Sequence, residues 1–480
     1  MNAILLKSTI GLVVMMVAFT GYGQKSSNTK SPNIIVILTD DMGNNDVGFN
    51  GCQDIPTPNI DRIADEGVKF PQGYVTFAVC GPSRAGLITG RYQSRFGFDR
   101  TPVFAPSDPE MGLPKTEQTM AEMLKTAGYR TMLSGKWHVG AHAEVHHPNK
   151  RGFDEFFGFL AGGHRYFPQD WTFQSEYDAE GNEEHGYRTK LQRNGQVIEN
   201  ETEYLTDAFS REAVNFVKDN KDQPFFLYLA YNAPHTPLQA TEKYLDRFKH
   251  IADEKRRIYA AMVSAVDDGV GRLLDQLDAL GIAENTMVFF LSDNGGPKNA
   301  NASDNGILRG GKSTWYEGGI RVPFAMRWPA KIKPNQVYYA PVISLDIFST
   351  VAANLGRPVK VKNKLDGIDL VPVVTRPEKT APDRTLFWRM YDRDLYVARN
   401  GNGAFKVLTK PNGNELYNLD DDVSEKNNLL KSGKNREAYD ALVKELEAWK
   451  KEMAKEPAFL GLAELKEYWE IQRQKKQNNK

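Results

Sequence analysis

Four short apolar runs predict strands that are buried on both faces. They cover residues 34–39, 130–134, 224–230 and 286–292. A strand with one solvated face alternates apolar and polar residues, whereas these runs are almost continuously apolar, as in parallel sheets covered on both sides. Helical patterns accompany them over residues 59–66, 119–126, 203–218 and 254–280. The alternation of strands and helices predicts an α/β fold, with a large, mostly parallel sheet flanked by helices.

The pattern changes from about Leu386. Short segments with alternating polarity cover residues 386–390, 395–399, 405–408 and 415–417, and a Gly/Asn-rich turn lies at residues 400–403. A helical pattern then extends over residues 436–455. These features predict a smaller antiparallel sheet with one covering helix. We therefore expect an α/β catalytic domain over residues 31–385, a C-terminal α+β subdomain over 386–470, and a flexible tail over 471–480.

The first 23 residues have the pattern of a secretory signal peptide. Lys7 is their single charge, residues 10–19 are apolar, and Gly21 and Gly23 supply small residues near a cleavage point. The apolar run is too short to cross a bilayer. We expect cleavage and export to the periplasm or beyond, with an uncleaved membrane anchor as the alternative.

Charge and cysteine content exclude several classes of protein. Lys plus Arg and Asp plus Glu both total 61, so the chain of 480 residues has no net charge to attract nucleic acid or a membrane surface. We expect neither a nucleic-acid partner nor stable membrane insertion. The two cysteines, Cys52 and Cys80, are too few for a disulfide framework.

Polar residues follow the first and last apolar runs. Asp40 and Asp41 come after the first run, and Asp293 and Asn294 after the last. In parallel sheets, ligands bind beyond the carboxyl ends of the strands, where these residues fall. Oxygen ligands without histidine or cysteine favour calcium or magnesium. A role as turn or helix-capping residues is the structural alternative.

Cys80 begins the string Cys-Gly-Pro-Ser-Arg, in a predicted turn, and Thr-Gly-Arg follows at residues 89–91. This string resembles the signature of type I sulfatases, in which the cysteine is oxidised to formylglycine. Further blocks resemble the same family in the same order: residues 135–138 (Gly-Lys-Trp-His), 233–237 (Ala-Pro-His-Thr-Pro), 310–312 with 317–323, and 415–420. The resemblance covers most of the chain after residue 30.

The resemblance implies an alkaline phosphatase-like fold and a defined set of site residues. It implies one calcium ion held by Asp40, Asp41, Asp293, Asn294 and the modified Cys80. Related phosphatases of the superfamily carry histidine where this chain has Asn294. It also implies a formylglycine-generating maturation enzyme as a partner.

The resemblance gives the remaining site residues roles around a sulfate ester. Lys136, His235 and Lys312 contact the sulfate, and Arg84 holds the attacking hydroxyl. His138 accepts a proton from the second hydroxyl of the aldehyde hydrate. His235 and Lys312 assist the leaving alcohol.

The sequence indicates the substrate less clearly than it indicates the reaction. His164 and Arg165 lie where sulfatases build the substrate pocket, and they are candidates for sugar contact or for simple loop structure. The same stretch is rich in aromatic residues, which stack on sugar faces but also pack in cores: Tyr166, Phe167, Trp171, Phe173 and Tyr177. We expect an exo-acting sulfatase for sulfated carbohydrates, with host glycans and algal galactans both possible. The alternatives are a phosphate mono- or diester hydrolase and a non-catalytic sugar-binding relative.

Overall fold

A computed structural model describes residues 31–105, 108–171, 190–376, 383–401, 403–433, 435–461, 464, 465 and 467. The predicted signal peptide, the predicted tail and the aromatic residues Phe173 and Tyr177 lie outside these ranges. Among the described residues, no helix is long and apolar enough to cross a membrane.

The described strands form one large and two small sheets. In chain order they are β1 (Asn33–Thr39), β2 (Val68–Lys69), β3 (Gly73–Tyr74), β4 (Arg130–Lys136), β5 (Glu155–Phe159), β6 (Gln192–Arg193), β7 (Gln196–Val197), β8 (Phe225–Ala230), β9 (Thr286–Ser292), β10 (Phe324–Arg327), β11 (Gln336–Val337), β12 (Val342–Ile343), β13 (Thr385–Met390), β14 (Leu395–Asn400), β15 (Phe405–Thr409) and β16 (Glu415–Asn418). The large sheet has ten strands in the order β11-β2-β10-β9-β1-β8-β4-β5-β6-β7. Its central strands are parallel, whereas β10, β6 and β7 pair antiparallel to their neighbours.

The register of the central strands aligns their carboxyl ends. Thr39 at the end of β1 pairs with Ser292 at the end of β9, and Leu38 pairs with Ala230 at the end of β8. The loops that follow the three strands therefore leave the sheet side by side. This mixed, mostly parallel sheet confirms the predicted fold class.

Helices cover both faces of the large sheet. They are α1 (Pro58–Asp65), α2 (Cys80–Thr89), α3 (Met120–Thr126), α4 (Leu205–Asp219), α5 (Glu242–Leu245), α6 (Glu254–Ala279), α7 (Lys298–Asn301), α8 (Glu317–Ile320), α9 (Leu345–Ala353), α10 (Leu370–Thr375) and α11 (Arg436–Lys450). Alternate residues of β1 point to opposite faces. Val36 packs in one apolar cluster with residues of α2, α3 and α9, and Ile37 packs in another with residues of α1, α4 and α6.

The C-terminal strands β13 to β16 form an antiparallel meander. Trp388 of β13 and Trp449 of α11 belong to an apolar cluster that also contains Tyr74 and Trp315 of the larger α/β part. The Trp388 indole Nε1 donates a hydrogen bond to the Val75 carbonyl at 2.7 Å. The predicted small sheet and covering helix are confirmed, although the helix ends at Lys450 rather than Lys455. The boundary between catalytic domain and C-terminal subdomain stays a prediction.

Candidate active site

Three loops at the carboxyl edge of the large sheet carry the Asp and Asn residues predicted as metal ligands, together with one histidine. Asp40 and Asp41 follow β1, His235 lies in the loop after β8, and Asp293 with Asn294 follows β9. The loops continue the pairing of the strands: the Asp40 N–H donates to the Ala233 carbonyl at 3.1 Å, and the Asp293 N–H donates to the Thr39 carbonyl at 3.0 Å. All of these polar side chains are buried.

Cys80 is the first residue of α2, so the sequence-based prediction of a turn at this position was wrong. Pro82 lies within the first helical turn, where the missing N–H costs no hydrogen bond, and it therefore does not break the helix. The thiol is 3% exposed, and its Sγ lies 3.3 Å from Asp40 Oδ1 and 3.4 Å from Lys312 Nζ. The helix thus places Cys80 among the charged groups of the site.

Three cations compensate the buried carboxylates. Lys136 Nζ lies 2.5 Å from Asp40 Oδ2, and Lys312 Nζ lies 2.9 Å from Asp41 Oδ2. Arg84 donates from Nε to Asp293 Oδ2 at 2.9 Å and also binds the Lys136 carbonyl at 3.0 Å. Because each carboxylate has a cationic partner, this concentration of charge is tolerated in the interior.

The two carboxyls Asp40 and Asp293 respond differently to this environment. Burial opposes ionisation of Asp40, but the charges of Lys136, His235 and Arg84 hold its pKa well below the usual range. Burial, together with the negative charge of Asp40, raises the pKa of Asp293 to about 7. The same two causes, burial and neighbouring carboxylates, raise the pKa of the Cys80 thiol. An unmodified thiol is therefore neutral here.

The donor set fits a hard divalent cation. Ligand atoms of Asp40, Asp41, Cys80 and His235 all lie within 4.8 Å of one another. Asn294 donates from Nδ2 to Asp41 Oδ1 at 2.7 Å, and its buried Oδ1 has no hydrogen-bond partner among the residues that the structure describes. Turning that amide about its own axis would present the oxygen beside Asp41. The carboxylates of Asp40 and Asp41 in this cluster, with the adjacent Asp293 carboxylate and Asn294 amide, offer the oxygen ligands that hard divalent cations prefer.

The predicted histidines lie at the same edge. His235 Nδ1 lies 2.7 Å from the Thr236 carbonyl, which fixes Nδ1 as the protonated nitrogen, and Nε2 lies 3.5 Å from Asp41 Oδ2. His138, two residues after the end of β4, has a left-handed backbone with φ of 59°. Its buried Nδ1 has no hydrogen-bond partner within the described part of the chain. Burial lowers the pKa of both histidines, most strongly that of His138, which also faces Lys136 and Arg84.

His164 and Arg165 occupy the loop after β5. The His164 ring is buried between Phe159 and Trp171, with centroid distances of 5.0 and 4.9 Å. Arg165 is half-buried and donates to the Asp170 carbonyl at 3.2 Å. Their contact with a sugar stays a prediction.

Tyr166 is fully buried, and its hydroxyl lies 2.7 Å from the carbonyls of Asn232 and His235. It supports the His235 loop from the interior instead of presenting a ring to a sugar.

Two buried asparagines, Asn301 and Asn305, contact the site loops and were missed by sequence reasoning. Asn301 Nδ2 donates to the Asp41 carbonyl at 3.0 Å. Asn305 contacts three different loops. Both lie in a stretch rich in Gly, Asn and Ser, which is typical of turns, so no sequence pattern distinguished them from ordinary turn residues.

Comparisons with known proteins define the class. The family model described as Sulfatase matches residues 32–356, and the model described as N-sulphoglucosamine sulphohydrolase, C-terminal, matches residues 311–452. The chain therefore belongs to the sulfatase family: it is a type I sulfatase of the alkaline phosphatase superfamily and a sulfuric ester hydrolase.

Two curated relatives and one solved structure show how similar this chain is to individual sulfatases. The N-acetylgalactosamine-6-sulfatase of Homo sapiens is 35% identical over 392 residues, covering 78% of this chain and 70% of that protein. The steryl-sulfatase of Rattus norvegicus is 34% identical, covering 72% of this chain and 70% of that protein. The crystal structure of Ps i-CgsB in complex with k-i-k-neocarrahexaose is 40% identical with a TM-score of 0.80, covering 89% of this chain and 94% of the other.

Proposed function

We propose that this protein is an exported sulfatase that hydrolyses sulfate esters on sulfated carbohydrates, acting on glycan or polysaccharide fragments through an aldehyde hydrate formed from Cys80. The observation that carries the proposal is the position of Cys80, buried between Asp40 and Lys312 at the start of α2. The similarity to a structure solved with a neocarrahexaose supports a sulfated galactan as the first substrate to test.

The chemistry of a sulfate ester explains why a plain thiol does not suffice. The ester is an anion, and attack by a neutral buried thiol would leave a sulfated sulfur that water must release. An aldehyde hydrate at position 80 offers two hydroxyls on one carbon, one to attack sulfur and one to release sulfate as the carbonyl re-forms.

The cations of this chain bind and orient the ester. Lys312 contacts the thiol of Cys80, and Lys136 binds the Asp40 carboxylate that also contacts this thiol. Arg84 follows Cys80 by four residues in α2, so that all three cations can act on one sulfate group. Buried positive charge fixed in advance stabilises an anionic transition state more strongly than mobile water does.

The histidines move protons. His235 has Nδ1–H bound to the Thr236 carbonyl and presents Nε2 to the site, where a protonated Nε2 donates to the leaving alcohol with the help of Lys312. His138 is held neutral by burial and can accept a proton from the residue at position 80.

Calcium is the cation that we propose for the oxygen cluster. Asp40, Asp41, Asp293, Asn294 and the modified residue 80 would hold it. When bound, it would add positive charge beside the sulfate and balance the three carboxylates.

The direct test combines mass spectrometry with kinetics. The peptide containing residue 80 should carry the mass of an aldehyde in active enzyme, and Cys80→Ala should abolish hydrolysis of nitrophenyl sulfate. Cys52→Ala is the matched control, because Cys52 lies away from the site beside Asp54, and it should keep full activity. Full sulfatase activity of Cys80→Ala would refute the proposal.

Substrate class is tested separately. Rates on defined sulfated mono- and disaccharides, including carrageenan fragments, should exceed those on sulfated steroids. Nitrophenyl phosphate should be the poorer substrate beside nitrophenyl sulfate, and the reverse would indicate a phosphate ester hydrolase. Sequencing the N-terminus of the exported protein tests cleavage of the predicted signal peptide.

A further inference from the structure

The Asn305 side chain connects three loops of the site. It is 5% exposed and makes four hydrogen bonds, each to main-chain atoms. Nδ2 donates to the carbonyls of Gly296 at 2.9 Å and Gly310 at 3.1 Å. Oδ1 accepts from the N–H groups of Gly296 at 3.1 Å and Asn44 at 3.3 Å. Both donors and both acceptor positions of the amide are therefore used.

Each partner belongs to a loop with its own functional residue. Asn44 follows Asp41 in the loop after β1, Gly296 follows Asn294 in the loop after β9, and Gly310 precedes Lys312. The amide oxygen thus connects the two loops that carry the proposed metal ligands. The amide nitrogen connects the second of these loops to the lysine that contacts Cys80.

These loops approach one another backbone to backbone. A Cβ added at Gly311 would lie 2.3 Å from the Gly296 carbonyl oxygen, and one added at Gly43 would lie 2.2 Å from the Asp304 carbonyl oxygen. Gly310 has φ of 77°, in the left-handed region that favours glycine. Asp304 also bonds to Asn45 and Asp46 of the loop after β1. The Asn305 amide adds hydrogen bonds to both metal-ligand loops and to the segment that precedes Lys312.

We propose that Asn305 is a positioning residue that sets the place of Lys312 relative to the metal-ligand loops. The inference deepens the proposed function and rests on it in one respect, since Lys312 is taken to bind the sulfate group. The two polar atoms of the Asn305 amide have separate roles: Oδ1 maintains the cation site, and Nδ2 maintains the position of Lys312. A shift of about 1 Å in a group that binds the reacting atoms costs on the order of 100-fold in rate.

Two variants of Asn305 distinguish the role of Oδ1 from the role of Nδ2. Asn305→Asp keeps an acceptor toward the N–H groups of Asn44 and Gly296 but loses the Nδ2 hydrogen bonds to the Gly296 and Gly310 carbonyls. We expect it to retain the rise in melting temperature that calcium chloride produces in the wild-type enzyme. For nitrophenyl sulfate, KM should rise about 10-fold and kcat should fall about 10- to 100-fold. Asn305→Ala should lose both the calcium response and the rate.

Asn220 offers a matched control. It is 6% exposed, donates from Nδ2 to the Phe216 carbonyl at 2.8 Å, and follows α4 at the opposite edge of the sheet. Asn220→Asp and Asn220→Ala should lower the melting temperature while kcat and KM stay within about twofold of wild type, since no site loop is touched.

The possible results of these measurements lead to different conclusions about Asn305. A lower melting temperature with unchanged kcat and KM in Asn305→Asp would show a purely structural role and overturn the proposal. Loss of the calcium response in Asn305→Asp with unchanged KM would overturn the assignment of Oδ1 to the cation site and of Nδ2 to the position of Lys312. If the wild-type enzyme hydrolysed no sulfate ester, the proposed function would fail, yet the calcium response of Asn305→Ala would still test whether the amide holds the loops. If Asn305→Ala does not fold, Asn305→Asp decides.

Discussion

Lys406 of β15 is fully buried between two carboxylates, and its removal should destabilise the protein in a pH-dependent way. Its Nζ lies 2.9 Å from Glu317 Oε1 and 2.9 Å from Glu425 Oε1, and all three side chains are inaccessible to solvent. Glu317 begins α8, just after the Lys312 loop, and its N–H donates to Glu425 Oε2 at 2.6 Å. Lys406→Met keeps a long unbranched side chain, one atom shorter, and removes the charge together with the hydrogen bond to Glu317.

The expected loss of unfolding free energy follows from the burial of this ion pair. Removing one partner of a buried ion pair costs about 3–5 kcal/mol, because the remaining charge is left without compensation. In the wild type, burial raises the pKa of Glu425 to about 7, so its contribution to stability is present at low pH and is lost as the pH rises through 7. Glu317 is the reverse: burial opposes ionisation, but Lys406 lowers its pKa to about 2, and its contribution is lost only as the pH falls below 4.5.

Without Lys406, the pKa of both carboxyls should rise, and each becomes neutral in the folded protein at mild acidity. The unfolding free energy should therefore fall by about 3–5 kcal/mol at pH 8 and by clearly less at pH 5. Thermal melting at the two pH values measures this difference. Lys410→Met is the control, because Lys410 pairs with Glu415 in a partly exposed position and should cost below about 1 kcal/mol. A variant at Lys406 as stable as wild type at pH 8 would refute the reasoning.

Three further predictions concern the site and its support. Arg84→Lys should reduce sulfatase activity at least about 100-fold and also lower the melting temperature, because a single ammonium cannot bind Asp293 and the Lys136 carbonyl together and leaves a buried group without its partner; near wild-type kcat would contradict this. Dialysis against a chelator should lower both activity and melting temperature, and calcium chloride should restore both; restoration by zinc instead would exclude calcium. Thr119→Ala should cost about 1 kcal/mol in unfolding free energy, since Thr119 caps α3 through the Glu122 N–H, while kcat stays unchanged; an unaltered thermal melt would argue against the cap.

The strands and the residues at their ends could be predicted because local sequence determines them. The apolar run over residues 286–292 coincides with β9, and the run over 34–39 differs from β1 by one residue at its start. Once the strands are parallel, their carboxyl ends meet at one edge, which brings together Asp40 and Asp293. The resemblance to a known family supplied the lysines and histidines that a spacing argument alone leaves ambiguous.

Other features depend on tertiary contacts that no local pattern records. The edge strand β11 and its neighbour β2 are two residues long and form only because they pair with other strands of the sheet. The end of α11 was misplaced because the sequence after Lys450 stays rich in helix-forming Lys and Glu and carries no glycine to mark the stop. Asn305 has the residue type of an ordinary turn, and its contact with Asn44, 261 residues earlier in the chain, leaves no local sequence pattern.

The burial of Cys80 has a consequence for the timing of its chemistry during biosynthesis. Lys312, which closes over the thiol, comes 232 residues later in the chain. A ribosome therefore releases Cys80 well before the segment that shields it exists, and the thiol stays open to other proteins during that interval. In the folded protein Cys80 is 3% exposed, so we expect the conversion proposed for this side chain to take place on the nascent or unfolded polypeptide.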